Sequence, residues 1–432
     1  MRILQLTAGT GSFYCGTCLR DAALVQELRK LGHDALLGSL YLPLVLEDGF
    51  APGQVHMGGV NAYLAQARVR LPRFLQDWLD SPRVLRWAAR KGEMTQARKL
   101  GPMTVSMLRG AEGEQRRELG KLADWLVTLE RPDVVLLSNA LLLGLVRPLR
   151  ELLGVPVLCT LQGEAPFLDA LLEPHRGEAW RLAAEHAREA AGFLAVSRYT
   201  AELMQRRLAL DPARVTVVPN GLDPAPYAPA ARFDGPPAIG YLARLNRDKG
   251  LPTLVEAFLE LKRRPEHREL RLLAAGATLA SDREPLEALR ERIAAAGHAG
   301  AVELASNVTL AEKVALLGRC HVFSVPATYG ESFGLYLLEA WAMGLPVVQP
   351  DHAAFPELVG ATGGGLLVAR DDPHALAEGL HALLVDRARA RSLGESGRRA
   401  VHEHFSGAAM ARAVERVCTM ACAPAAPVAL SR

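Results

Sequence analysis

The stretch Tyr329-Gly330-Glu331-Ser332-Phe333-Gly334-Leu335-Tyr336-Leu337-Leu338-Glu339-Ala340-Trp341-Ala342-Met343-Gly344-Leu345-Pro346-Val347-Val348 changes character twice. A strand ends just before it, near Val325. A polar loop then carries Glu331, a short helix starts near Gly334 and stops at Gly344, and an apolar strand opens at Pro346. Strand, loop, helix and strand in such quick succession is the repeating unit of a parallel α/β sheet.

The same rhythm extends in both directions. On the N-terminal side, 238–241, 270–275 (closed by Gly276) and 322–325 read as strands, with a helix over 251–262. On the C-terminal side 365–368 is another strand, followed by a long helical tail over 373–420 and a loose end at 423–432. The first half repeats the pattern, with strands at 2–7, 34–40, 132–138, 156–160, 192–196 and 215–218. A helix over 18–31 is closed by Gly32 in the C′ position. Between the halves, 223–237 carries Pro at 224, 226, 229, 236 and 237, which suits an interdomain linker. The expectation is two doubly wound α/β units around a Pro-rich hinge, with the ligand at the C-terminal strand ends in the cleft between them.

Composition narrows the function. The chain has 432 residues, half of them hydrophobic and 22% charged, so large cores form and global disorder is excluded. A net charge of +3 argues against a dedicated nucleic-acid binder. Six cysteines are too few for a disulfide scaffold. Arg outnumbers Lys 43 to 7, as expected of a GC-rich bacterial genome. The chain opens directly on a strand, without a basic region followed by an apolar run, and no uncharged apolar run approaches about 20 residues. A cytoplasmic location is expected. One segment breaks the α/β rhythm: 41–120 offers no good strand. Within it, 68–99 holds nine basic and three acidic residues among helix-spaced apolar ones. This is either an ordinary helical insertion or a surface for an amphipathic acceptor or the anionic inner face of a membrane.

The quoted stretch also carries chemistry. A helix N-terminus presents unpaired amides and a positive dipole end, which suits a phosphate. Glu331 lies just outside that helix and Glu339 roughly 7–9 Å further along it, at about 1.5 Å per residue. Carboxylates accept hydrogen bonds from vicinal diols. A glutamate on each side of a phosphate site therefore fits a sugar–diphosphate–ribose laid along the helix. A capping Glu and an ordinary helical Glu are the bland alternative.

The segment from Glu331 to Glu339 resembles the Glu-x7-Glu motif of retaining glycosyltransferases of the GT-B fold, specifically glycosyltransferase family 4. Val196-Ser197-Arg198, Val218-Pro219-Asn220-Gly221-Leu222-Asp223, Gly344-Leu345-Pro346-Val347-Val348, Pro356-Glu357-Leu358-Val359 and Gly364-Gly365-Leu366-Leu367-Val368 resemble the same family, in order. The resemblance implies two Rossmann-like domains facing across a cleft: 1–222 for the acceptor, a linker at 223–237, 238–400 for the nucleotide sugar, and 401–432 as a helix returning to the first domain, then a tail. It implies a nucleotide-diphosphate sugar as donor, with a glycan, a lipid-linked glycan or a small molecule as acceptor.

Gly240-Tyr241-Leu242-Ala243-Arg244-Leu245-Asn246-Arg247-Asp248-Lys249-Gly250 is similar to the loop whose Arg and Lys hold the donor diphosphate in that family. By that likeness Arg244 and Lys249 bind the leaving group, which makes a metal unnecessary, and no cofactor is expected. Glu331 then addresses the donor sugar and Glu339 the ribose, with Ser332, Phe333, Gly334 and Leu335 around the phosphates and Val308, in the loop 305–309, near the base. Gly32-His33 matches a family Gly-His, and Gly16 stands where the family has a glycine near the donor. Tyr14, in the same loop, and Glu164 are expected to meet the acceptor. Many members carry a His where this chain has Gln162, which can hydrogen-bond a sugar but not transfer a proton. Cys15 and Cys18 could be redox active at a helix N-terminus, could bind zinc with Cys418 and Cys422, or could simply line the cleft. A sugar-nucleotide epimerase and a non-catalytic nucleotide-sugar-binding protein are the rival functions.

Overall fold

The computed structural model describes residues 1–9, 16–41, 57, 98, 100–228 and 235–423. Tyr14, Cys15 and, apart from Arg98, the basic segment 68–99 lie outside the described residues.

The first domain is built from β1 (Arg2–Thr7), α1 (Gly16–Lys30), β2 (Asp34–Ser39), α2 (Gly101–Leu108), α3 (Arg116–Leu126), β3 (Val134–Leu137), α4 (Val146–Leu153), β4 (Val157–Leu161), α5 (Glu164–Asp169), α6 (His175–Ala187), β5 (Gly192–Ala195), α7 (Arg198–Leu208) and β6 (Val215–Val217). Its six strands are all parallel, in the order β2-β1-β3-β4-β5-β6. Both faces are covered, so β3, β4 and β5 are buried at every position. Along β1 the side chains alternate. Leu4 and Leu6 join the core beneath α2, α3 and α6, while Ile3 joins the core beneath α1.

The second domain runs β7 (Ala238–Leu242), α8 (Leu251–Leu261), β8 (Arg271–Gly276), α9 (Arg283–Ala295), β9 (Val302–Ser306), α10 (Leu310–Leu317), β10 (Val322–Phe323), α11 (Leu335–Ala342), β11 (Val347–Pro350), α12 (Phe355–Thr362), β12 (Gly365–Val368), α13 (Pro373–Val385) and α14 (Arg387–His404). The strand order is β12-β11-β10-β7-β8-β9, again parallel. Its core centres on Trp341, fully buried, whose indole donates to Gly364 O at 2.9 Å. A side chain at Gly397 would place its first carbon 2.2 Å from that ring, so glycine lets α14 close over it. The sequence reading missed β9 and placed a loop from residue 305. As an edge strand β9 is only half-buried, and its short, mixed sequence shows no clean alternation.

Among the described residues the chain crosses between domains twice, and the crossings are tied together. Leu222 N donates to Phe405 O and Gly407 N to Leu222 O, each at 2.9 Å. Gly221 permits this approach, since a Cβ there would lie 2.4 Å from Ser406 O. The last helix, α15 (Gly407–Cys422), then returns to the first domain, where Met410, Ala411, Val414 and Cys418 pack with Leu24, Val25 and Leu28 of α1. The stretch read as a linker also contributes to packing, because Tyr227 is 4% exposed in the second core.

Gly250 begins α8 with φ +73°, and a Cβ would sit 1.9 Å from Pro326 O. Gly250→Ala is therefore expected to cost about 3 kcal/mol from backbone strain plus overpacking. Gly120 occupies an exposed position of α3 with open space around it, and Gly120→Ala is expected to gain about 0.5–1 kcal/mol. Urea unfolding midpoints of the two variants check both signs.

Candidate active site

In the second sheet β7 lies between β8 and β10, so consecutive connections leave in opposite directions. The gap at the C-terminal ends of β7 and β10 is a topological switch point, where a doubly wound sheet leaves a crevice. The loop after β7 carries Arg244 and Lys249, and the segment after β10 carries Glu331. Residues 82 apart in sequence therefore meet.

Glu331 is only 6% exposed. One of its oxygens, Oε2, receives three donors: Lys249 Nζ, the Tyr329 hydroxyl at 3.0 Å and the Tyr336 hydroxyl at 2.8 Å. Burial pushes this carboxyl up, but Lys249 and the two hydroxyls together outweigh it and hold the group below the usual 4.5. The Lys249 ammonium also lies 4.9 Å and 5.3 Å from the Tyr329 and Tyr336 ring centres, which adds cation–π attraction. Burial, and then the charge of Glu331, push both tyrosine hydroxyls well above their ordinary range, so they remain donors. Among the described residues Oε1 of Glu331 receives no hydrogen bond.

Glu339, further along α11, repeats the arrangement. Its Oε1 receives Tyr227 OH and Lys313 Nζ, both at 2.7 Å, and Oε2 receives none among the described residues. Each glutamate of the pair is thus held through one oxygen by a lysine and tyrosine, with the second oxygen left to accept.

Arg244 uses Nε and Nη2 in a two-point fork to Asp282, both at 2.8 Å. Asp282 is 5% exposed and is steadied by Leu279 N at 2.8 Å. The fork fixes the guanidinium plane, and the side chain stays 38% exposed, with Nη1 free of hydrogen bonds among the described residues. Gly334, at φ +88°, opens α11. Phe333 turns inward, 2% exposed, with its ring 6.3 Å from that of Phe405, so only its backbone is available to a ligand.

The first domain closes on this loop. Ser197 Oγ and Thr200 Oγ1 donate to Ser332 O at 2.7 and 3.2 Å. Glu357 accepts from Arg198 N and Tyr199 N at 3.0 and 3.1 Å, so a carboxylate of the second domain caps α7 of the first, where the helix dipole favours negative charge. Gly16, at the start of α1, faces Leu335. A Cβ there would lie 3.4 Å from the leucine side chain. The first sheet's own switch point, between β1 and β3, therefore opposes the N-terminus of α11.

Gln162 lies at the end of β4, 7% exposed. Its amide nitrogen donates to Ser138 O at 2.7 Å, and its side-chain oxygen is without a hydrogen bond among the described residues. Glu164 departs from the acceptor-contacting position expected of it. It is 3% exposed, and its two oxygens accept from Ala140 N at 2.7 Å and Gln162 N at 2.6 Å. Burial pushes its carboxyl up and the backbone amides pull it back, leaving it raised. It braces the loop that carries Gln162. Val308, expected near the base, is half-buried and packs on the second core. Cys18 is buried, 3.4 Å from Thr7 Oγ1, and Cys418 is buried under α1, which places neither thiol in the open cleft.

The sequence reading missed Tyr227, Lys313, Asp282, Tyr329 and Tyr336. The last two flank Glu331 in the decisive stretch and were legible as hydroxyls near a carboxylate. The other three come from distant segments. Two His/Glu groups lie elsewhere on the second domain, and both are met by protein partners. His267 Nε2 and His381 Nδ1 bond each other at 2.8 Å beside Glu266, and Arg264 pairs with Glu260 and Glu378 beside His374.

Two family descriptions match, "Glycosyltransferase Family 4" over 100–226 and "Glycosyl transferases group 1" over 228–400. A D-inositol 3-phosphate glycosyltransferase of Corynebacterium aurimucosum is 30% identical over 291 residues, 62% of this chain and 67% of that one. The chain belongs to glycosyltransferase family 4. A D-inositol 3-phosphate glycosyltransferase of Nocardia farcinica is 34% identical over 193 residues, and a phosphatidyl-myo-inositol mannosyltransferase of Mycobacterium tuberculosis is 33% identical over 202. Those matches span 43% and 50% of the relatives' own lengths, and 43% and 45% of this chain. Among solved structures, Anabaena HepE in complex with UDP is similar with a TM-score of 0.66 at 17% identity, covering 97% of this chain and 100% of that one. Sucrose-phosphate synthase from Thermosynechococcus elongatus gives 0.70 at 18%, covering 97% and 99%. These likenesses agree with the two parallel sheets as a GT-B fold.

Because the folded Glu331 carboxyl sits below 4.5, the stability it contributes is present above that pH and is lost as pH falls through the folded value. Glu331→Gln is expected to cost about 2–3 kcal/mol at pH 7, since Lys249 loses its counter-charge. The difference from wild type should shrink below about pH 4.5. Urea unfolding of both proteins across pH 3–7 checks the magnitude and the sign.

Proposed function

We propose that this protein is a retaining, metal-independent glycosyltransferase that moves a sugar from a nucleoside-diphosphate sugar to an acceptor held by the first domain. The observation that carries the reading is the pair of glutamates, each with one oxygen held by lysine and tyrosine, bracketing the first turn of α11 at the switch point. In this reading Glu331 Oε1 accepts from the donor sugar. Glu339 accepts from the ribose, and the backbone of Ser332 to Leu335 lies against the diphosphate. Lys249 and Nη1 of Arg244 meet the charge that grows as the anomeric C–O bond breaks, so they stabilise the transition state more than the ground state. The acceptor oxygen bonds to the anomeric carbon on the same face, and its proton passes to the departing phosphate oxygen. Gln162 then needs only to hydrogen-bond the sugar, which its side-chain oxygen can do. Two fixed cations and a helix N-terminus neutralise the leaving group without a metal.

Structural neighbours crystallised with UDP and UDP-glucose support a UDP-linked donor as the first to test. Relatives named for D-inositol 3-phosphate and phosphatidyl-myo-inositol make a phosphorylated or lipid-linked polyol the first acceptor class to screen. Among the described residues no helix is long and apolar enough to cross a membrane. A cytoplasmic enzyme reaching a membrane-borne acceptor through segment 68–99 is tested by co-sedimentation with anionic vesicles.

The deciding experiment is a thermal-shift panel of UDP, GDP, ADP and TDP. At 100 times its Kd the right nucleotide should add about 2.7 kcal/mol of stability, a shift of several degrees, and Lys249→Ala should abolish it. No shift with any diphosphate in a folded protein would sink the donor reading. With a donor and acceptor in hand, Lys249→Ala should lower kcat about 100- to 1,000-fold. Turnover should survive EDTA, and proton NMR of the product should show the donor's anomeric configuration. Binding without turnover across the acceptor screen would favour a non-catalytic role. A changed sugar nucleotide without acceptor would favour an epimerase.

A further inference from the structure

Tyr227 belongs to the stretch that joins the domains, shortly after the crossing at Leu222, yet its ring is buried in the second core. Its hydroxyl donates at 2.7 Å to Glu339, a residue 112 positions away. Lys313 Nζ, from α10, donates at the same distance to the same oxygen, Oε1. Two donors on one oxygen, arriving from separate segments, restrict rotation of the carboxylate about its last bond. The other oxygen, Oε2, then points in one direction and receives no hydrogen bond among the described residues. Glu339 is 13% exposed at the side chain, so few alternative partners from solvent compete for that oxygen.

We propose that Tyr227 is a positioning residue for the donor: it holds Glu339 so that Oε2 accepts from a ribose hydroxyl of the nucleotide. This rests on the donor-site reading given above. It makes part of the interdomain connection a component of the nucleotide site, because the linker segment supplies one of the two donors that fix the ribose acceptor. Phenylalanine at 227 keeps the buried ring and removes only the hydroxyl, so the effect should appear in ribose recognition and not in packing. Lys313 alone then leaves the carboxylate free to rotate, and the cost falls on the ribose contact.

The test is calorimetric titration of the full chain with UDP and with 2′,3′-dideoxy-UDP, or with the matching pair of another base if the nucleotide panel favours it. Wild type, Tyr227→Phe and Glu339→Gln are compared. Wild type should bind UDP at least about tenfold more tightly than the dideoxy form, the value of a hydrogen bond to a charged acceptor. Tyr227→Phe should weaken UDP about five- to tenfold while changing dideoxy-UDP by less than about twofold. Glu339→Gln should remove the preference for the ribose hydroxyls, and adding Tyr227→Phe to it should change little more, as expected of residues acting through one contact. Equal UDP affinity in Tyr227→Phe and wild type overturns the proposal, as does equal weakening of both nucleotides, which a packing role alone would give. If wild type binds UDP without distinguishing the dideoxy form, the proposal falls and the donor site stands. If wild type binds no nucleoside diphosphate, both fall together.

Discussion

The site depends on keeping a buried carboxylate ionised. Taking Glu331 out of water opposes its charge, and alone it would take up a proton or destabilise the fold. Lys249 and two tyrosine hydroxyls on a single oxygen reverse that balance. The arrangement also constrains Lys249, which lies between two aromatic rings and the carboxylate and so points in a defined direction. Asp282 does the same for Arg244. Cations and acceptors fixed before a ligand arrives need no reorganisation when charge develops, which is the main advantage of a preorganised site over water.

Strand order makes this possible. Lys249 follows β7 and Glu331 follows β10, and the two strands are direct neighbours in the sheet. Gly250 lets the loop after β7 turn into α8 against Pro326, and Gly334 lets the backbone turn into α11. The first domain then contributes from across the gap. Ser197 and Thr200 hold Ser332 O, and Glu357 caps α7. Gly330 permits this contact, since a Cβ there would be 2.1 Å from the Tyr199 hydroxyl. The loop that carries Glu331 is therefore held by both domains, and its geometry depends on how they close.

Much of this was legible in the sequence. The strand, loop, helix and strand around Glu331 are marked by Gly334, Gly344 and an apolar run, and local signals of that kind survive folding because the backbone itself enforces them. Buried parallel strands such as β3 and β4 are continuous apolar runs and equally plain. The edge strand β9 was not, since it is only half-buried along its length and its short, mixed sequence leaves little periodicity. Glu164 was misplaced for a related reason. A carboxylate near a presumed site looks like a ligand contact until its neighbours are known, and here the neighbours are the backbone amides of Ala140 and Gln162.

By itself the sequence determined two α/β units and the Pro-rich stretch that joins them, and it singled out Glu331 and Glu339 around a helix start, with Arg244 and Lys249 added by likeness to the family. Each of those rests on residues close together in the chain. Only the tertiary structure decided which oxygen each glutamate presents, that Asp282 aims Arg244, and that Tyr227 and Lys313 converge on Glu339. The contacts made by Asp282, Tyr227 and Lys313 span 26 to 112 residues. They exist because parallel strand order and two chain crossings bring distant loops to one crevice, and no local pattern in the sequence encodes which loops those are.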